Sequence, residues 1–195
     1  MDTKTGKGHS VALAWFGIFA TAVAVIMLMA CISAYPDWVA GTDTVSKFGT
    51  SNTDAADYFK YGCMAIGVLL AVFSISFIVG RTTYGNAAGG VLMLLAAVCL
   101  ILVGLYKSAG NTQDTHDFFA VMMTILAMFA MVAITAQNWY DGHEFTAGIG
   151  IMAFCVIVGA LIAFNTAKFE EFALVAFTVW LITESGLIIK MGLKE

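Results

Sequence analysis

Residues 87–106 read AAGGVLMLLAAVCLILVGLY, without a single charged side chain. A bilayer core of ~30 Å is crossed by about 20 apolar residues in a helix. The run is continuous and lacks period-2 alternation, so it predicts a helix and not a strand. Five further stretches of this kind flank it: about Val11 to Ile32, Phe59 to Gly80, Phe118 to Gln137, Phe145 to Phe164 and Phe172 to Ile189. The expected fold is all-α: a bundle of six transmembrane helices forming one integral membrane domain over residues 1–195.

Composition agrees. Of the 195 residues 61% are hydrophobic and 11% charged, against about 25% charged in soluble domains. Mean hydropathy is +0.90. A small water-soluble domain leaves too much surface exposed to hide this much apolar area. An ordinary soluble enzyme, a disordered chain and a disulfide-stapled secreted module are excluded. Nine basic residues and a net charge of -4 also exclude a nucleic-acid binder, which needs clustered Lys and Arg.

The connectors are short except the first, and short links make successive helices antiparallel neighbours. Ser33 to Tyr58 carries the only proline, Pro36, with Gly41, Gly49 and four aspartates. It is the one segment large enough to cap the bundle. Basic residues orient a bundle. With the N-terminus inside, Lys4, Lys7, Arg81, Lys190 and Lys194 face inward, against Lys47, Lys60, Lys107 and Lys168 outside. The expected topology is a multi-pass protein of the cell membrane with both termini cytoplasmic and the long connector extracytoplasmic. Leu28-Met29-Ala30-Cys31 loosely resembles a lipoprotein cleavage box, but the run exceeds a signal core and reads as a retained helix. Tyr35, Trp38, Tyr58, Tyr61 and Tyr106 form one aromatic belt, and Trp15, Tyr84, Trp139 and Tyr140 the other.

Cys31, Cys63, Cys99 and Cys155 lie in or beside apolar segments with no metal-ligand spacing, so they read as small hydrophobes. Neither a metal nor a cofactor is implied. Gly85-x-x-x-Gly89 offers a close helix contact, inside the bundle or between two copies.

Polar groups within the membrane are costly and hence candidates for function. Glu184 is the only acid deep inside a predicted span, with Ser74, Ser76 and Arg81 at suitable depth to meet it. At the other end, His116 and Asp117 open the fourth helix, where Asp114 is placed to cap it. Glu170 and Glu171 precede the sixth helix, where carboxylates favour the N-terminal dipole. Ser46, Asp43 and Asp57 of the long connector share this outer face.

Three stretches together resemble a prokaryotic membrane family, domain of unknown function 998. They are Thr44-Val45-Ser46-Lys47-Phe48-Gly49 followed by Ala56 to Gly62; Val103-Gly104-Leu105-Tyr106 running into His116-Asp117-Phe118-Phe119-Ala120; and Phe169-Glu170-Glu171-Phe172 leading to Trp180. That family is similar to the six-span fragment-type and autophagy-modulator proteins. The resemblance implies a six-helix bundle without an established activity. By position it singles out Ser46, Gly49, His116 and an acid at Glu170 or Glu171, with Lys47 where an acid is common in the family.

Three functions follow as expectations. The first is a non-catalytic component that binds membrane lipid, an ion, a partner membrane protein or a second copy, using His116, Asp117, Glu171, Asp57 and Glu184. The second is a membrane-interface lipid hydrolase with Ser46 as nucleophile, His116 as base and Glu170, Glu171 or Asp117 as the orienting carboxylate. The third is a small transporter built on Glu184.

Overall fold

The computed structural model describes residues 3–80 and 83–193, with side chains described from Val11 onward. Six helices follow in order: α1 (Thr3–Ala34), α2 (Ala55–Gly80), α3 (Tyr84–Leu105), α4 (Gln113–Tyr140), α5 (Glu144–Ala163) and α6 (Thr166–Leu193). Short 3-10 turns at Val45–Thr50 and Gly110–Thr112 interrupt the connectors, and no strand occurs among the described residues. The helices run from 20 to 32 residues. At ~1.5 Å per residue each exceeds or matches a ~30 Å hydrocarbon core. All six are long and apolar enough to cross a membrane. The side chains of Lys4 and Lys7, and all of Arg81 and Lys194, lie outside the described residues.

Each helix packs on the next, and α6 returns to α1, so the helices form a closed ring. At one end of the bundle Gly192 of α6 approaches Val11 of α1. The long connector covers the opposite, cap end. Phe73, Phe77, Met131, Ile134, Ile157 and Trp180 fill the middle of the ring, each at most 1% exposed. The outward faces stay apolar: Ile26 is 65%, Val175 62% and Ile162 80% exposed. Water would penalise such faces, and lipid chains accept them.

Glycines set how closely the helices approach. A Cβ on Gly67 of α2 would lie 2.8 Å from the Ala97 carbonyl oxygen of α3. Backbone cannot yield as a flexible side chain can. Gly67→Leu is therefore expected to cost at least about 1–3 kcal/mol by overpacking, read as a lower unfolding midpoint in detergent. An unchanged midpoint would show that α2 and α3 separate freely. Gly85 and Gly89 face Ala133, Gln137, Ala130 and Ile134 of α4. The spacing offered as a face for a second copy is thus covered within the chain.

Several boundaries differ from the sequence reading. The fourth helix starts at Gln113, so Asp114 lies inside its first turn and does not cap it. Thr112 holds the cap position, with its hydroxyl turned back to the carbonyls of Lys107 (2.8 Å) and Ala109 (3.1 Å). The sixth helix starts at Thr166, and Asn165 Oδ1 accepts the Lys168 N–H at 3.1 Å. That cap moves the helix start upstream and takes Glu170 and Glu171 into the second turn. Asn138, read as part of a turn, belongs to the last turn of α4.

Candidate functional site

The connector folds on an aromatic plug. Phe48 is fully buried, with the Trp38 ring centroid 5.0 Å and the Tyr35 ring 6.5 Å away. Trp38 Nε1–H donates to the Thr44 carbonyl at 3.0 Å. Trp38 and Tyr35 therefore pack the cap, whereas Tyr58 and Tyr61 stay exposed as interface aromatics. Phe48 joins Met27, Cys31, Phe59, Cys63 and Val103 in a second apolar cluster beneath the cap. All four cysteines are free thiols.

Two carboxylates of α6 tie this cap down. Glu170 Oε2 accepts the Val45 N–H at 2.7 Å and the Ser46 N–H at 3.4 Å. Glu171 Oε1 accepts the Gly41 N–H at 2.6 Å, where Gly41 has φ 73°. That left-handed conformation suits glycine. The pairing gives both acids a tertiary role that helix-dipole reasoning alone does not supply. Charge-assisted bonds of this kind contribute about 1.5–3 kcal/mol each. Glu170→Ala is expected to raise amide hydrogen exchange at Val45 and Ser46 by one to two orders of magnitude, roughly the loss of one such bond. Exchange rates there that match the parent protein would show that Glu170 does not hold the cap.

Beside this clamp, Lys47 Nζ lies 2.6 Å from Asp43 Oδ1, and Asp43 Oδ2 accepts the Val39 N–H at 3.0 Å. The Lys47 hydrogen bond, with the Val39 N–H, holds the Asp43 carboxyl below the usual carboxylate range, and the same bond raises Lys47. Lys47 thus closes a local loop with Asp43.

His116 is only 2% exposed. Its Nδ1 lies 2.8 Å from the Tyr106 carbonyl oxygen. A carbonyl only accepts, so Nδ1 carries the proton and Nε2 has the lone pair in the neutral ring. Nε2 is buried with no hydrogen-bond partner among the described residues. Tyr106 is further held by stacking on Phe119, at 5.8 Å and 15°. His116 and Asp117 are within Coulombic reach of Glu170, so the imidazole of α4 and the acids of α6 do share one region. Ser46 Oγ donates to Thr44 Oγ1 at 3.0 Å. Ser46 meets Glu170 through its backbone N–H, and His116 is bonded to the Tyr106 carbonyl. These contacts are not a serine–imidazole–carboxylate relay of side chains, in which the base bonds the nucleophile directly.

A cleft of about 170 Å³ opens at the cap end between the 3-10 turn, the start of α2 and the end of α3. Its lining includes Gly49, Asp57, Lys60, Gly104, Tyr106 and Lys107. Asp57 is exposed in the first turn of α2. Lys60 and Lys107 were visible in the sequence only as outer-face charges, and nothing in their spacing joins them. The glycines shape the walls: a Cβ on Gly104 would lie 2.8 Å from the Lys60 carbonyl oxygen, and one on Gly49 2.9 Å from the Phe59 ring.

Glu184 lies at the opposite half of the bundle and is fully buried. Asn138 Nδ2 donates to its Oε1 at 2.7 Å, joining α4 to α6. The serines proposed from the sequence do otherwise. Ser74 donates to the Ala71 carbonyl at 2.7 Å, and Ser76 Oγ has no partner among the described residues. Asn138 was missed because an amide beside Trp139 and Tyr140 reads as a turn residue. No group of three metal-ligating side chains occurs among the described residues.

A closed ring of six apolar helices with a polar cap defines a multi-pass integral membrane protein. Residues 18–185 match the family model described as protein of unknown function (DUF998), and the chain belongs to that family. Comparison with curated proteins found no match, and neither did comparison with solved structures.

Proposed function

We propose that this protein is a non-catalytic, lipid-binding component of the cell membrane, with its polar site at the cap end. In this reading the cap end faces outward and both termini are cytoplasmic. The observation that carries it is the cleft between the cap, α2 and α3, flanked by Lys60 and Lys107. Leu105, which lines the cleft, is an outward apolar side chain 46% exposed. A lipid could place its headgroup among the lysines and its chains on the apolar helix faces. Ser46 and His116, each bonded elsewhere, support a structural role for the pair more than nucleophilic attack. Native mass spectrometry of the detergent-purified protein tests the reading. Retained lipid, lost together with thermal stability on harsher delipidation, is the expected result. A clean delipidated protein of unchanged stability would overturn it.

A further inference from the structure

Resting on that reading, we propose the class of headgroup: a singly charged phosphodiester, held between Lys60 and Lys107 with Asp57 excluding doubly charged phosphates. The size of the cleft comes first. About 170 Å³ is below the ~300 Å³ at which drug-sized sites begin. That volume suits a headgroup and not a whole lipid.

Charge comes second. Two lysines and one aspartate line the cleft, leaving one net positive charge. A phosphodiester carries a single negative charge and balances it. A phosphomonoester or free phosphate carries about 1.5 to 2 negative charges near neutral pH and meets the Asp57 carboxylate at close range. The partial charges at the start of α2 and the end of α3 are opposite in sign and roughly offset each other.

Positioning comes third. Lys107 follows Tyr106, whose carbonyl is held by the buried His116. The Lys107 carbonyl in turn accepts the Thr112 hydroxyl at 2.8 Å. These bonds fix the backbone beneath one of the two cations before any ligand arrives. Such preorganisation lowers the ordering cost of binding. Lys60 is set on rigid α2, with its ammonium 5.4 Å from the Tyr61 ring centroid.

The test uses delipidated full-length protein and three probes: short-chain phosphatidylglycerol, short-chain phosphatidic acid and inorganic phosphate. Binding is read by native mass spectrometry and by thermal shift. Phosphatidylglycerol is expected to bind most tightly and inorganic phosphate most weakly. Lys60→Ala with Lys107→Ala should weaken phosphatidylglycerol roughly 10- to 30-fold, while Lys168→Ala, outside the cleft, leaves it unchanged. Asp57→Asn should tighten phosphatidic acid and inorganic phosphate several-fold without improving phosphatidylglycerol. Unfolding midpoints establish that each variant is folded, and Lys60→Arg with Lys107→Arg should retain binding if folding is sensitive there.

Equal affinity for all three probes would overturn the headgroup assignment. So would phosphatidylglycerol binding that survives loss of both lysines, or falls as far with Lys168→Ala. Either result leaves the lipid-binding reading intact. Failure to retain any lipid would defeat both.

Discussion

Trp180→Ala is expected to cost about 3–5 kcal/mol of stability, the range for deleting a buried large aromatic. Trp180 is 1% exposed and belongs to the central cluster with Phe73, Phe77, Met131, Ile134 and Ile157. Its ring meets Phe177 edge-on at 6.4 Å and 68°. Removing the indole leaves a void that helices of a closed ring can fill only by moving together. The Trp180 Nε1–H has no hydrogen-bond partner among the described residues. Trp180→Phe removes that group while keeping most of the ring, and should cost no more than about 1–2 kcal/mol. Unfolding in detergent, followed by a probe other than tryptophan fluorescence, checks both. Equal losses for the two variants would show that the indole N–H, and not the packed volume, matters at this position.

Asn138→Leu is expected to destabilise by about 0.5–1.5 kcal/mol, the range for a typical intramolecular hydrogen bond. The Asn138–Glu184 bond spans α4 and α6, which are not neighbours in the chain. Leucine is close in size to asparagine but offers no donor to a fully buried carboxyl. A double-mutant cycle isolates the coupling between the pair. Polar contacts in membranes are often weaker than their burial suggests, with cycles averaging about 0.6 kcal/mol. A coupling near zero would show that Glu184 is stabilised by other groups and that Asn138 is incidental to it.

Two different kinds of glue hold the bundle. Trp180 packs by volume. Asn138 and Glu184 hold by specific polarity. At the cap end both kinds operate within a few residues, with Phe48 as the plug and Glu170 and Glu171 as the clamp.

The six spans were legible because membrane crossing is a local property. Ala87 to Tyr106 contains no charge, so its length and polarity decide its fate with no reference to other segments. Helix starts were less legible. Asn165 caps α6 upstream of the apolar run, so hydropathy begins the sixth span late. The cap-end clustering of His116, Glu170, Glu171 and Ser46 was foreseen, because short connectors return alternate helix ends to one face. How those residues bond was not. Glu170 and Glu171 accept backbone N–H groups, and a backbone N–H is present at nearly every position of any sequence.

By itself the sequence determined the medium, the number of crossings and the end at which polar groups gather. These follow from free energies of transfer, which add up along the chain. Only the tertiary structure decided that Asn138 reaches Glu184, that α4 covers the Gly85 and Gly89 face, and that Lys60 and Lys107 line one cleft. Those pairings depend on how each helix is rotated and set against its neighbours. Apolar periodicity leaves that rotation open, because lipid and protein interior are alike in polarity and both accept the same side chains.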